Sequence, residues 1–373
     1  MNRPLSCIQI DLTNLEHNLE ILQGEVGKRS LWPVIKANAY GHDANIVGRH
    51  LTTLGYDTLC IARPSEAIAL INEGIRAKFL ILSATLPDDA EEIVAYDLVP
   101  TTCTLPMLDA LNREAKKANK SIEAHLKVDT GMGRVGVPPK EVFSFLKRCE
   151  GLERVRISGL MSHFARADEA DKAPSDNAIR VFREIVRATA NSSIDHYHIA
   201  NSAGIFDLPA SHFDAARPGI AMYGLPPSCE IANPRSKNLK PMLEWITRIT
   251  FLKEVPSATG LSYGHSYTTN GETLVATIPV GYGDGLTRRL SGKLEVLVGG
   301  RRCRQIGRIT MDQCMVDVSP LRNSVGAGDE VVLIGKQHDA EISADEWAEK
   351  SDTINYEIVT GISSRVPRLI RKV

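Results

Sequence analysis

The stretch T-L-C-I-A-R-P-S-E-A-I-A-L-I-N-E-G-I-R-A-K-F-L-I-L-S (Thr58–Ser83) decides the fold. Thr58–Ala62 is a short apolar run, Ser65–Gly74 has helical periodicity behind a proline, and Phe79–Ser83 is a second apolar run. Strand, helix and strand in that order join parallel strands through a crossover helix. The unit repeats in both directions between Ser30 and about Gly219. Leu31–Ala37 lies upstream of it; Leu98–Thr102, Glu123–Asp129, Val155–His163, His196–Asn201 and Phe213–Arg217 follow as strands. Leu105–Asn119 and Lys140–Cys149 read as helices between them. Eight strands at this spacing predict an α/β fold of the (β/α)8 TIM-barrel type, with the active site at the strand C-termini. A doubly wound open sheet is the rival architecture.

The pattern changes after Pro226-Pro227 and the polar stretch Asn233–Lys237. From Trp245 to Ile334 only strands are read: Trp245–Val255, Leu274–Val280, Leu294–Val298, Met315–Val318 and Glu330–Ile334, separated by turns such as Gly299-Gly300. Ser343-Ala-Asp-Glu346 resembles an N-capped helix start. We therefore expect a barrel domain over 1–235 and a β-rich domain over 236–373, with the first strand, about 6–12, able to pack with the second domain. A length of 373 residues suits two domains.

Composition narrows the function classes. An apolar fraction of 43% with 24% charged residues describes an ordinary globular protein. The net charge of −1 gives no case for nucleic acid or an anionic membrane as partner. No apolar run approaches the ~20 residues that span a bilayer, and Met-Asn-Arg-Pro-Leu-Ser-Cys lacks a signal core. Seven cysteines with no C-x-x-C pair argue for reduced thiols and a cytoplasmic location.

Polar residues recur where barrel strands would end. Lys36 closes the first strand in V-I-K-A-N-A-Y-G-H. Lys127 precedes Asp129 and Arg134, and His163, Asn201-Ser202 and Arg217 end the next strands. The apolar run behind Lys36 is an environment able to lower an amine's pKa and favour Schiff-base chemistry. Gly131-Met-Gly-Arg-Val-Gly136 matches the G-x-G-x-x-G pattern of dinucleotide sites, but Pro138-Pro139 follow at once and the motif lies mid-chain, so that reading is set aside. His42, His50 and His265 lack ligand spacing, and no metal is expected.

Together these motifs resemble the bacterial alanine racemases over nearly the whole chain. They run from I-D-L-T-N-L-E-H-N-L (Ile10–Leu19) through V-I-K-A-N-A-Y-G-H, H-L-K-V-D-T-G-M-G-R-V-G, M-S-H-F-A-R-A-D, A-N-S-A-G, A-R-P-G-I-A-M-Y-G, L-S-Y-G-H-S-Y, I-P-V-G-Y-G-D-G and I-G-R-I-T-M-D-Q to S-R-V-P-R (Ser364–Arg368). The resemblance implies a barrel that binds pyridoxal 5′-phosphate (PLP), a β-domain, and a homodimer in which the β-domain completes the partner subunit's site. It also implies racemisation of alanine, supplying D-alanine for peptidoglycan.

By the same resemblance Lys36 would carry PLP as a Schiff base, and Tyr40, Ser202, Tyr356 and the backbone of Gly219 and Ile220 would hold its phosphate. Arg217 would face the pyridine nitrogen, with His163 beside the cofactor. Arg134 and the backbone of Met311 would hold the substrate carboxylate, and Lys127 matches a position often carbamylated. Lys36 and Tyr263 would be the two opposed proton-transfer groups, and Tyr282 would line the entrance. A tyrosine acts as a base only where positive charge or hydrogen bonds stabilise its phenolate, which His163 and Arg217 would supply. Two departures stand out: C-I-Q-I-D-L replaces the family's aromatic and glutamate, and Thr310 precedes Met311 where a small residue or cysteine is common. The alternatives are a broader amino-acid racemase that also takes serine, a fold-related decarboxylase, or a non-catalytic PLP carrier.

Overall fold

The computed structural model describes residues 4–190 and 192–371, so the first three residues of the N-terminal segment considered above lie outside the described residues. The chain divides into two compact units. One takes the chain up to Leu12, Tyr40–Asp43 and everything from Pro241 onward; the other takes Thr13–Ala39 and Ala44–Lys240.

In the second of these, six parallel strands pair in chain order: Thr58–Ile61, Lys78–Ile81, Val99–Thr102, Ile122–Lys127, Val155–Met161 and His196–His198. The short strands Ser30–Leu31 and Ala215–Ala216 pair in parallel across the gap. Backbone bonds complete the ring. Cys60 N–H donates to Pro33 O and Ile35 N–H to Cys60 O, both at 2.8 Å, while Asp214 N–H donates to Tyr197 O and Arg217 N–H to Ala200 O, both at 3.0 Å. Eight strands thus close into the expected (β/α)8 barrel. Leu59, Cys60 and Ile61 are all fully buried in succession, as strands covered on both faces must be. The outer helix Leu105–Lys117 turns Met107, Leu108, Leu111 and Ala115 inward, a stripe at helical spacing.

The first strand is shorter than Leu31–Ala37. It ends at Leu31, continues through single bonds such as the Val34–Cys60 bridge and Val34 N–H to Pro218 O (2.9 Å), and gives way at Lys36 to a turn of opposite hand.

The other unit carries a sheet of ten strands among the described residues. Leu243–Arg248 buries alternate residues and pairs antiparallel with Ser6–Ile10, which also pairs in parallel with Arg368–Ile370. Trp245–Val255 is two strands, because at Ile249 and Thr250 the N–H groups turn to Asp329 O and Thr277 O (2.9 Å each) and the chain crosses to another part of the sheet. The strand Arg301–Ile306 escapes an apolar search, since Cys303 and Gln305 are its inward residues between exposed arginines. Single 3₁₀ turns at Tyr263–His265, Tyr282–Asp284, Arg288–Leu290 and Ser319–Leu321 interrupt what reads as strands alone. Ser343 does cap a helix, Ala344–Ser351, its hydroxyl accepting from Glu346 N–H at 3.1 Å. A second helix, Asn355–Thr360, carries Tyr356. No helix among the described residues is long and apolar enough to cross a membrane.

Candidate active site

Lys36 opens a turn in which Ala37, Asn38, Ala39 and Tyr40 all have φ near +52°. For residues with a Cβ, each such conformation costs roughly 1–2 kcal/mol, so neighbouring groups must hold it. Ala37 N–H donates to Glu66 Oε1 at 2.7 Å, and Ala62 N–H to Glu66 Oε2 at 2.7 Å. Asn38 Oδ1 accepts from Ala44 N–H at 2.8 Å, and Ala39 N–H donates to Ile35 O at 2.8 Å. Glu66 sits in the first turn of its helix, where a carboxylate also complements the helix dipole.

Cations gather around this turn. Burial, then the charge of Arg134, holds the Lys36 amine below the ordinary lysine value, with Glu66 opposing. Lys127 is 5% exposed and its Nζ has no hydrogen-bond partner among the described residues. Burial, then Arg217 and Arg134, puts that amine well below the lysine range. His163 is held well below its ordinary value by burial, then by Arg217, Lys127, Lys36 and Arg134. Arg134 and Arg217 thus both act on Lys36 and Lys127, with Glu66 and Asp129 as the opposing carboxylates, an arrangement that attracts an anion.

Arg217 is 3% exposed, and burial lowers its guanidinium to about 10, so it stays charged at neutral pH. Its Nη1 donates to His198 Nδ1 (2.5 Å) and its Nη2 to the carbonyls of Ser162 (2.9 Å) and Ile199 (3.1 Å). Ser202 Oγ accepts from the N–H groups of Gly219 (2.9 Å) and Ala221 (3.3 Å), on either side of Ile220, where the 3₁₀ turn Ile220–Tyr223 begins. Arg134 stands exposed on the loop between Asp129 and Val137. The Asp129 carboxylate accepts from Gly131 N–H (3.0 Å) and Gly133 N–H (3.1 Å), which shapes that loop.

The other unit supplies a second set. Tyr40 and Tyr356 face each other with ring centroids 6.1 Å apart. Gly41 permits the close packing, since a Cβ there would lie 2.1 Å from Val359 O. Arg368 Nε donates to Gly41 O at 2.9 Å, and its other nitrogens reach the carbonyls of Ile362, Ser363 and Val366. Tyr282 and Met311 lie on two turns sewn together by Tyr282 N–H to Thr310 O (2.9 Å) and Gly283 N–H to Met311 O (2.8 Å). Tyr263, on a separate hairpin, is 70% exposed.

The barrel unit thus brings Lys36, Lys127, Arg134, His163 and Arg217 within electrostatic reach of one another and sets Ser202 against Gly219; the other unit pairs Tyr40 with Tyr356 and Tyr282 with Met311. Sequence reasoning missed Glu66, Asp129 and His198 as supports. An acid in the first turn after Pro64 is a visible capping signal, but its grip on Ala37, 29 residues away, is not. Chemically the barrel end offers a depressed amine for carbonyl chemistry, a permanent donor in Arg217, and hydroxyl and N–H groups able to hold an anion.

Residues 10–227 match the family model described as alanine racemase, N-terminal domain, and residues 242–370 that of the C-terminal domain. The chain is 44% identical over 366 residues to an alanine racemase of Halothermothrix orenii, covering 98% of this chain and 94% of that one. It is 37% identical over 367 residues to one of Clostridium novyi, covering 98% and 95%. Among solved structures, alanine racemase of Clostridium difficile 630 superposes with a TM-score of 0.94 at 32% identity, covering 100% of this chain and 97% of that one. Alanine racemase of Bacillus anthracis with bound L-Ala-P superposes at 0.92 with 36% identity, covering 100% and 96%.

Proposed function

The chain belongs to the alanine racemase family and interconverts L- and D-alanine, and on that premise we propose that it works on pyridoxal phosphate with Lys36 and Tyr263 as its two proton-transfer groups. The observation that carries the reading is the Lys36 amine, depressed by burial and set among Lys127, Arg134 and Arg217. Such a cluster suits a ligand bearing a carbonyl, a phosphate and a substrate carboxylate. When bound, the cofactor supplies the electron sink that an amino acid's Cα–H bond needs to ionise.

Lys36 would hold the cofactor covalently, and Ser202, the backbone of Gly219 and Ile220, Tyr40 and Tyr356 its phosphate, with His163 lining the cofactor site. Arg217 would donate to the ring nitrogen and, remaining charged at neutral pH, would leave that nitrogen unprotonated, which disfavours side reactions such as transamination. Arg134 and the backbone of Met311 would orient the substrate carboxylate. Once the substrate's amino group had displaced it from its covalent link, the freed Lys36 Nζ would take the Cα proton from one face while the Tyr263 hydroxyl of a second subunit returned a proton to the other, and the reverse reaction would exchange the roles. Tyr282 would narrow the entrance. Supplying D-alanine for peptidoglycan is consistent with the family, and a cytoplasmic homodimer is the setting we propose.

Incubating the PLP-loaded protein with L-alanine in deuterated water should yield D-alanine carrying deuterium at Cα, read by chiral chromatography and mass. Bound cofactor without D-alanine would overturn the reading, and the same assay with L-serine measures how strictly small the pocket is. The unpartnered, depressed amine of Lys127 suits attack on carbon dioxide, giving a carbamate that would orient Arg134, with release of a proton. Native mass spectrometry in bicarbonate should show a mass increment of one carbon dioxide that acid removes and that Lys127→Arg lacks; an unchanged mass would exclude the modification.

A further inference from the structure

We propose that Ser262 is the positioning residue that aims Tyr263, by holding a strained backbone conformation through its hydroxyl tether and its fit into the hollow at Gly307. The inference rests on Tyr263 being the second proton-transfer group. Ser262 has φ 64° and ψ −177°, a region used almost only by glycine. Gly264, at φ 67°, and His265, at φ 44°, follow it into positive φ, and His265 N–H donates to Ser262 O at 3.0 Å to close the turn. The loop is therefore strained on both sides of Tyr263.

Both ends of this loop are pinned. Leu261, immediately before, is 4% exposed in an apolar cluster with Val255, Val275 and Ile306, against which Tyr267 and Met315 pack. Gly260 and Leu261 pair with Thr268 and Tyr267 as a hairpin. Ser262 Oγ donates to Arg308 O at 2.9 Å. That acceptor lies in a segment fixed by buried Gln305, whose amide donates to Ile306 O (2.8 Å) and Gly307 O (3.0 Å) and accepts from Gly292 N–H (2.7 Å). Gly307, itself at φ 72°, leaves the space that the Ser262 side chain fills: a Cβ there would lie 2.6 Å from Ser262 Cβ.

The chain thus passes from a buried leucine to a 70% exposed tyrosine across one residue. A glycine at 262 would adopt the same angles without strain, but it would lose the tether to Arg308 O and the contact at Gly307 and be freer to leave them. The serine accepts strain in return for a single backbone direction, a combination found where geometry serves function.

Ser262→Gly and Ser262→Ala, beside Tyr263→Phe, test this. Early deuterium uptake at Cα is followed for each enantiomer separately, together with the melting temperature of each apoprotein. In Ser262→Gly the face served by Tyr263 should slow about tenfold or more, the scale of an ångström-level misplacement, while exchange at the Lys36 face persists. Its melting temperature should stay level or rise, because strain is released. Ser262→Ala should show the same one-faced loss with a lower melting temperature. The proposal is overturned if both faces stay within about twofold of the parent, or if both slow equally in step with lost stability, as a merely structural serine would give. If Tyr263→Phe silences one face while the Ser262 variants do not, only the positioning role fails; if Tyr263→Phe leaves both faces intact, the reading of Tyr263 fails with it.

Discussion

Arg217 sets the protonation of the rings behind it. A guanidinium has no acceptor atom, so His198 must accept at Nδ1 and carry its proton on Nε2, which is then placed to donate to His125 Nδ1 at 2.8 Å. Both rings stay neutral: burial, then His196 and Lys78, lowers His125 to about 3, and burial, then Arg217, holds His198 well below its ordinary value. Unfolded histidines titrate near ~6.5, so between about 6.5 and 3 the unfolded chain binds more protons than the folded one. Stability is thus full above about pH 6.5 and is lost as pH falls through that window, by up to about 1.4 kcal/mol per pH unit for His125, with His198 acting in the same direction. Urea midpoints of the apoprotein at successive pH values from neutral down to pH 4 should fall accordingly; a flat profile would mean that the rings charge without unfolding. At this scale the sequence placed the polar residues at or just beyond the strand ends: Lys127 closes its strand, while Lys36, His163, Asn201 and Arg217 follow strands that stop earlier, at Leu31, Met161, His198 and Ala216. It did not show what each one touches, because the His125–His198 bond spans 73 residues.

The loop that presents Arg134 is an element made by its glycines. Asp129 N–H donates to Val137 O (3.1 Å) and Val137 N–H to Lys127 O (2.8 Å), so the chain leaves the strand and returns to its own end. Gly136 has φ 140°, and a Cβ there would lie 2.5 Å from Asp129 N. Gly136→Ala should therefore cost about 1–3 kcal/mol through backbone strain and raise KM for alanine more than it lowers kcat. Burial alone would raise the Asp129 carboxyl, but the N–H groups of Gly131, Gly133 and Met132, with Lys127, hold it below its ordinary value. Asp129→Ala loses those bonds and should cost about 1–2 kcal/mol, with a KM rise that Asp129→Asn partly restores. Equal losses in kcat and none in KM, in steady-state kinetics, would disconnect this loop from the substrate carboxylate. The sequence marked this stretch as unlike a dinucleotide loop because prolines follow the glycines, and the returning loop is what those prolines and glycines build. By contrast, the turn after Lys36 was illegible: four consecutive residues with side chains take positive φ, which propensity disfavours and which contacts such as those of Glu66, far along the chain, and Asn38, within the turn, stabilise.

At the scale of the whole molecule, the barrel could be counted from eight apolar runs, but its closure depends on strands two residues long and on single backbone bonds that no periodicity reports. The β-rich unit was legible as a class and not as a topology, because its sheet order is set by pairings far apart in the chain. Its exposed Tyr263, Met311 and Tyr282, at 70%, 52% and 44%, are large apolar side chains that an isolated chain gains nothing by showing to water. A two-fold dimer would cover them twice over, since a symmetric interface repeats every contact. Sharing of sites between subunits then has a decisive test. Lys36→Ala and Tyr263→Phe should each be inactive alone. Unfolded together and refolded as a mixture, half of the dimers are hybrids, and each hybrid holds one site with both residues intact and one with neither. Activity should return to about one quarter of the parent value per chain, as random two-fold pairing requires. If both residues of a site came from a single chain, every hybrid site would lack one of them, and the mixture would stay as inactive as its parts.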